Sequence, residues 1–332
     1  MNQTILVTGA TGAIGPGLVH ALNQAGFRIR TFSVDTPAMG IFPQSVEVLI
    51  GDVTDQVAVR SAMQGVDAAF HLAAILHIVT PSPELREKYE RINVGGTARV
   101  IEAAIEADVR RLVLFSTIAV HGHASGQVLH EESPTRPETY YARTKLAAEQ
   151  IVLNAKRKDG QPLGAVLRLG AVYGSRIKGN YERLTHALAR RRFIPIGNGL
   201  NRRTLVYDKD VGRAAVLAVS HPAAGGRVFN VTDGEFHTLN EIIESICSAL
   251  GRKPPWVSFP SGVARSVASA VEGGFRLFGM KAPVTPEMVD KYTEDIAVDG
   301  RLIQKELGFA PQYDLQTGWD ETIKEMRRAG AL

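Results

Sequence analysis

Cysteine is nearly absent from this chain: a single one, Cys247, excludes an internal disulfide and fits a reducing compartment. Cys247 sits in a helical pattern and reads as a small buried hydrophobe. Tryptophan is scarce too, and Trp256 and Trp319 read as ordinary apolar anchors. A large excess of charge of one sign is missing. The net charge is +4, and the dense clusters, such as Arg190-Arg191-Arg192 and Arg202-Arg203, are no longer than three residues. Such clusters are solvated surface or contacts for a small anion, so no nucleic-acid partner is expected. Long apolar runs are lacking as well. The most apolar late stretch, Val263 to Phe278, is broken by Arg265, Glu272 and Arg276. Its bulky members Val263, Val267, Val271, Phe275 and Phe278 recur at steps of three and four. That predicts an amphipathic helix, too short and charged to span a bilayer. Core or subunit packing explains it, with membrane-surface contact the lesser alternative. The amino end shows no basic region or cleavage site, so no signal peptide and a cytoplasmic location are expected. His121 and His123 have no carboxylate or cysteine close by, so no metal is expected. The 32 glycines and 16 prolines are neither periodic nor concentrated, which excludes collagen-like repeats and disorder.

What is present is an ordinary globular composition over 332 residues, enough for about two domains. Short β-branched runs at Thr4–Thr8, Arg28–Ser33, Val46–Ile50, Ala68–Leu72, Leu112–Ser116 and Ala165–Leu169 read as strands. Helical patterns at Gly15–Ala25, Gln56–Met63, Pro83–Ala107 and Glu138–Lys158 alternate with them. The alternation predicts an α/β fold with a doubly wound parallel sheet, because parallel strands need crossover connections. Arg227–Val231 extends that sheet after a helix at Lys209–Val219. Residues 174–204 and everything after Asp233 break the pattern. The expected division is a dinucleotide-binding domain of residues 1–173 plus 205–232, and a smaller, mostly helical substrate domain of 174–204 plus 233–332.

The first strand runs into Thr8-Gly9-Ala10-Thr11-Gly12-Ala13-Ile14-Gly15, and a helix follows. One glycine permits the tight turn, one lets the backbone approach a pyrophosphate, and one lets helix and strand pack closely. The helix amino end adds free N–H groups and partial positive charge for the phosphates. After the first strand of a doubly wound domain, this spacing points to a dinucleotide cofactor. Asp52, after the third strand, is placed to accept the adenine amino group, or else to cap the next helix. Leu72, Ala73 and Ala74 end the fourth strand with small residues that allow close approach. Ser33 stands where a ribose-binding acid is usual, but Asp35 lies two residues on and would repel a 2′-phosphate. Val34 stands where an arginine for that phosphate would be placed. The balance tips to NAD over NADP.

Tyr141-Ala142-Arg143-Thr144-Lys145 opens a helix with Tyr141 and Lys145 four apart, on one face. A phenol is a poor base at neutral pH, and a nearby ammonium stabilises its phenolate. Thr117, after the fifth strand, adds a hydroxyl to orient a substrate oxygen. Tyr-x-x-x-Lys alone arises on any exposed amphipathic helix. With the glycine loop and Thr117 it marks an acid–base site beside a nicotinamide.

Here the chain resembles the extended short-chain dehydrogenase/reductase family over nearly its whole length. The likeness is carried by Thr8–Gly15, Gly51–Asp55, His71–Ala74, Asn93–Thr97, Phe115–Gly122, Tyr141–Lys145, Leu167–Gly174, Arg203–Val211 and Leu307–Pro311. It implies a Rossmann-type fold, a nicotinamide cofactor, and Thr117, Tyr141 and Lys145 as catalytic residues. Gly9, Thr11, Gly12, Ala13, Ile14, Gly15, Ser33, Asp35, Asp52, Val53, Leu72, Ala73, Ala74, Asn93, Tyr141 and Lys145 would hold the cofactor. Leu169, where proline is common after Arg168, and Ser33 depart from the family pattern.

Within that resemblance, the residues after Thr117 sort the chemistry. Dehydratases and decarboxylases carry carboxylates there, whereas Ile118 and Ala119 exchange no protons. Redox at one carbinol carbon remains. Lys178-Gly179-Asn180 and Asn201-Arg202-Arg203 look like a subgroup acting on nucleotide-linked hexoses. By that likeness Arg203 grips the diphosphate, Asn180 adds a donor, and His121 lines the cleft beside Thr117. The expected function is nucleotide-sugar 4-epimerisation by an oxidoreductase that works as an isomerase. The alternative is a one-way ketoreductase or dehydrogenase acting on a 4-keto sugar or a hydroxysteroid-like alcohol. A homodimer through Pro83–Ala107 and Glu138–Lys158 is expected from the family alone.

Overall fold

The apolar runs pair as one parallel sheet in the computed structural model, which describes residues 3–76, 81–124, 126–278, 280 and 282–332. Its strands are β1 (Thr4–Thr8), β2 (Arg28–Ser33), β3 (Glu47–Ile50), β4 (Ala68–His71), β5 (Arg111–Thr117), β7 (Gly164–Leu169) and β11 (Val228–Val231). The order is β11-β7-β5-β4-β1-β2-β3, and every neighbouring pair is parallel. Helices cover both faces, so β7 reads as a continuous run, Gly-Ala-Val-Leu-Arg-Leu, with all six residues buried. Strand order reverses between β1 and β4, where such sheets open a crevice at the carboxyl ends of the strands.

On one face, α1 (Gly15–Gln24) and α7 (Asp208–Ser220) pack over Ile5, Val7, Phe70 and Val113. On the other, α2 (Gln56–Met63), α4 (Thr97–Glu106) and α5 (Tyr140–Asn154) cover Leu6, Leu112 and Leu114. The expected single helix Pro83–Ala107 is three pieces: α3 (Pro83–Tyr89), π-helical turns at Glu90–Gly96, and α4. A π-bulge inserts one residue per turn and re-aims the side chains that follow.

The later chain builds a third cluster from α6 (Asn180–Ala189), α8 (Leu239–Leu250) and α12 (Leu315–Arg328). Trp319 stacks on Tyr173 there, centroids 4.6 Å apart, and Cys247 is buried as expected. Short pairings stitch the region to the sheet's edge. β6 (Val128–Leu129) pairs β13 (Ala297–Val298), β8 (Ala171–Tyr173) pairs β10 (Leu205–Tyr207), and β9 (Arg202–Arg203) pairs β12 (His237–Thr238). Helix α11 (Arg301–Leu307) instead places Ile303 and Leu307 in the first cluster. One expectation is overturned: Trp256 anchors nothing, being 95% exposed. Helix α9 (Ser261–Leu277) leans on α10 (Pro286–Thr293), half-buries Val271 and Phe275, and leaves Val263 and Val267 about half exposed.

Candidate active site

The glycine loop is tight for steric reasons. Gly9 has φ +70° and donates its N–H to Phe32 O at 2.8 Å. A Cβ there would lie 2.6 Å from Ala73 N, so the loop after β4 presses directly on it. A Cβ on Gly15 would sit 2.1 Å from Ala10 O. The first turn of α1 has no side-chain cap, and with Gly15 N–H turned back to Gly12 O at 3.2 Å and no N–H on Pro16, the positive end of the helix is what it offers an anion. Leu72 N–H donates to Thr8 O at 3.1 Å and aligns Leu72–Ala74 beside the loop. This cradle, which added Cβ atoms would fill, fits a dinucleotide pyrophosphate.

Other expected cofactor residues divide. Ser33 is buried, and its Oγ accepts Thr11 N–H at 3.3 Å, so it braces the loop. Val34 and Asp35 are exposed just past it. The cap of α2 is Asp55, accepting from Val57 and Ala58 N–H, which settles the alternative left open for Asp52. Asp52 spends Oδ1 on Thr54 N–H at 2.8 Å and stays half-buried at the end of β3. Val53 points its side chain into the second core cluster.

Asn93 is buried and braces the loop after β4. Its Oδ1 accepts Ile75 N–H at 2.8 Å, and its Nδ2 donates to Thr144 Oγ1 at 3.1 Å. Thr144 in turn donates to Tyr141 O at 2.9 Å. The π-helical turns aim Asn93 inward, so one amide ties the β4 loop to the first turn of α5. His71 completes the brace between Thr8 Oγ1 (2.7 Å) and Thr97 Oγ1 (3.0 Å). Burial and then the Lys145 charge push its pKa down to about 3, so it is a neutral packing residue.

Thr117 ends β5, its Oγ1 accepting Ala119 N–H at 3.2 Å. Thr139 caps α5 and sets Tyr141 one turn before Lys145. The Tyr141 ring lies 6.4 Å from that of Tyr89, whose hydroxyl is fixed on Leu76 O. Burial pushes Tyr141 up to about 12, with Tyr89 adding to it. Burial pulls Lys145 down to about 8 against the opposing charge of Glu149. Both shifts favour the neutral forms, so a positive charge in the cleft is what would bring the phenol into play.

The Lys145 shift has a measurable consequence. Between pH 8 and 10.5 the unfolded chain keeps this proton and the folded one has released it. Stability therefore rises with pH across that window. Lys145→Met is expected to remove this rise, on the order of 3 kcal/mol. Urea unfolding at both ends of the window checks it. Equal gains in wild type and variant would clear Lys145 of the effect.

Three residues expected to touch substrate have different surroundings. His121 is 2% exposed and turned inward, Nε2 3.4 Å from Arg168 Nη1. Burial and that charge lower its pKa to about 4. Asn180 is exposed as the first residue of α6. Arg203 is half-buried, its Nη2 donating to Lys291 O (2.7 Å) and Tyr292 O (2.8 Å) at the end of α10. Arg202 pairs with Asp295 at 2.6 Å.

One group escaped the sequence reading. Beneath Thr117, Ser116 Oγ donates to Glu149 Oε1 at 2.5 Å, and Arg168 grips Glu149 with Nε and Nη2. All three are buried. The spacing of Glu149, four residues after Lys145, was the available signal.

The comparisons with known proteins agree with this geometry. The model of the NAD dependent epimerase/dehydratase family matches residues 5–232. A UDP-glucose 4-epimerase of Vibrio cholerae is 27% identical, the match covering 99% of this chain and 97% of the relative. An N-acetyl-alpha-D-glucosaminyl-diphospho-ditrans,octacis-undecaprenol 4-epimerase of Escherichia coli O157:H7 is 26% identical, over 98% of this chain and 95% of its own. The structure of MoeE5 in complex with UDP-glucose and NAD superposes with a TM-score of 0.76 at 29% identity, covering 98% and 99% of the two chains. With its glycine cradle, its Rossmann-type sheet and a tyrosine–lysine pair on α5, the chain belongs to the NAD-dependent epimerase/dehydratase family of nicotinamide-using enzymes.

Proposed function

We propose that the protein is a nucleotide-sugar 4-epimerase that keeps NAD bound through its cycle. The observation that carries this reading is Thr117 at the carboxyl end of β5 and Tyr141 and Lys145 one turn apart on α5, with Ile118 and Ala119 where a carboxylate would be needed to expel water or carbon dioxide. The likeness to a UDP-glucose 4-epimerase and to a structure holding UDP-glucose and NAD supports it. The nicotinamide, when bound, supplies a reversible hydride acceptor. Gly9, Gly12, Gly15 and the amino end of α1 would hold its pyrophosphate, and Asp52 its adenine. Exposed Asp35, with Val34 in place of an arginine, favours NAD over NADP. Tyr141 Oη takes the proton of the sugar 4-hydroxyl and later returns it, Thr117 Oγ1 orients that oxygen, and Lys145 steadies the phenolate. Family likeness supports a homodimer in the cytoplasm.

The test is to denature freshly purified protein, identify the released nucleotide, and incubate intact protein with UDP-glucose or UDP-galactose. NAD near one per chain with interconversion of the two sugars is expected. Empty protein, or protein carrying NADP, would favour the one-way ketoreductase or dehydrogenase instead.

Arg203→Ala checks the substrate end. Loss of one charged hydrogen bond to a diphosphate is expected to raise KM about tenfold or more. A thermal melt of the variant shows whether α10, on which Arg203 rests, has also loosened. An unchanged KM would move the substrate away from nucleotide sugars.

A further inference from the structure

Helix α9 buries its small side and exposes its large one. Ala268 is fully buried and Ala264 half-buried, on the stripe that also half-buries Val271 and Phe275. The neighbouring stripe leaves Val263 and Val267 about half exposed, and Phe278 beyond the helix end is 77% exposed. Another apolar group lies on the segment before α9. Phe259 N–H donates to Pro195 O, and Gly197 N–H donates to Phe259 O, both at 2.8 Å. This ladder sets fully exposed Trp256 on the segment paired with the loop that carries exposed Ile194. Large apolar side chains exposed on neighbouring segments mark an interaction surface.

Charge says by what. The same loop begins at Arg190, Arg191 and Arg192, all exposed and in no ion pair among the described residues. Lys253, just before Trp256, and Arg276 on α9 are likewise exposed cations. Glu244 beside Trp256, Glu272 and Glu287 stand against them, fewer than the five cations, and Asp290 is already paired with Arg265 at 3.0 Å. A second copy docked on this face about a two-fold axis would meet it with the same excess of cations. An anionic bilayer surface complements both the cations and the apolar side chains. α9 has 17 residues, and no helix among the described residues is long and apolar enough to cross a membrane.

We propose that this face seats the enzyme on the surface of an anionic bilayer. Trp256, Val263, Val267 and Phe278 enter the headgroup region, and Arg190–Arg192, Lys253 and Arg276 meet lipid phosphates. α9 lies in the plane of the surface. The seat is separate from the sugar reading and stands whichever substrate the cleft takes.

The experiment is sedimentation of the full chain with vesicles of phosphatidylcholine alone or with phosphatidylglycerol added, while tryptophan emission is followed. The chain is expected to sediment with the anionic vesicles only, to be released by salt, and to shift its emission to the blue as Trp256 leaves water. Replacing Arg190, Arg191 and Arg192 with serine is expected to weaken binding about a hundredfold. Val267→Glu with Phe278→Glu should abolish it, with catalytic turnover of the chain unchanged. Failure to bind anionic vesicles overturns the proposal. So does a dimer in gel filtration that the double glutamate variant dissociates, which would assign the face to a second copy.

Discussion

Tyr141→Phe is expected to lower turnover by about two to four orders of magnitude, the range of a lost general acid–base. Little else should change. The contact Thr144 makes is to the Tyr141 carbonyl, which the substitution keeps. The ring stays beside Tyr89, and the glycine cradle is built from other elements. Far-UV circular dichroism and the content of bound nucleotide should match wild type, while steady-state turnover falls. A variant of near-normal activity would remove Tyr141 from the chemistry and, with it, the epimerase mechanism.

The second large effect concerns stability. Arg168→Met strips Glu149 of the guanidinium paired with it and leaves a buried carboxylate with Ser116 as its hydrogen-bond partner and the Lys145 charge nearby. Breaking a buried pair from one side costs about 3–5 kcal/mol, a large share of the ~5–15 kcal/mol that holds a typical protein folded. Adding Glu149→Leu should recover much of that loss, because no charge is then stranded. Denaturant unfolding of the single and double variants checks both statements. A loss under about 1 kcal/mol in the single variant would show that water reaches Glu149. The pair also bears on the site. Glu149 raises the pKa of Lys145 against burial, and Ser116 precedes Thr117 in β5.

The sheet was legible because each strand is buried on both faces and so is written as an apolar run. β1, β2 and α2 fall on the predicted bounds. The glycine loop was equally legible, since the requirement is local: Gly9 and Gly15 have no room for a Cβ whatever surrounds them. Asn93 was not, because π-helical turns shift the helix register and point it at Ile75 and Thr144. His121 follows Thr117 closely in sequence, yet a short 3-10 turn carries it inward to Arg168.

Charge and apolar patterning misled where two patterns overlap on one helix. In α9 the alanine stripe and the valine stripe both repeat at helical spacing, and periodicity does not say which faces α10. By itself, then, the sequence settled the doubly wound sheet, the tight glycine loop and the placing of Tyr141 and Lys145 one turn apart on α5, each set by spacing within one segment. The tertiary fold alone decided the Glu149–Arg168 brace, the seat of Arg203 on α10 and the exposed face of α9. Those depend on which distant segments meet, and a residue's partner across 88 positions, as for Arg203 and Lys291, leaves no mark in local periodicity.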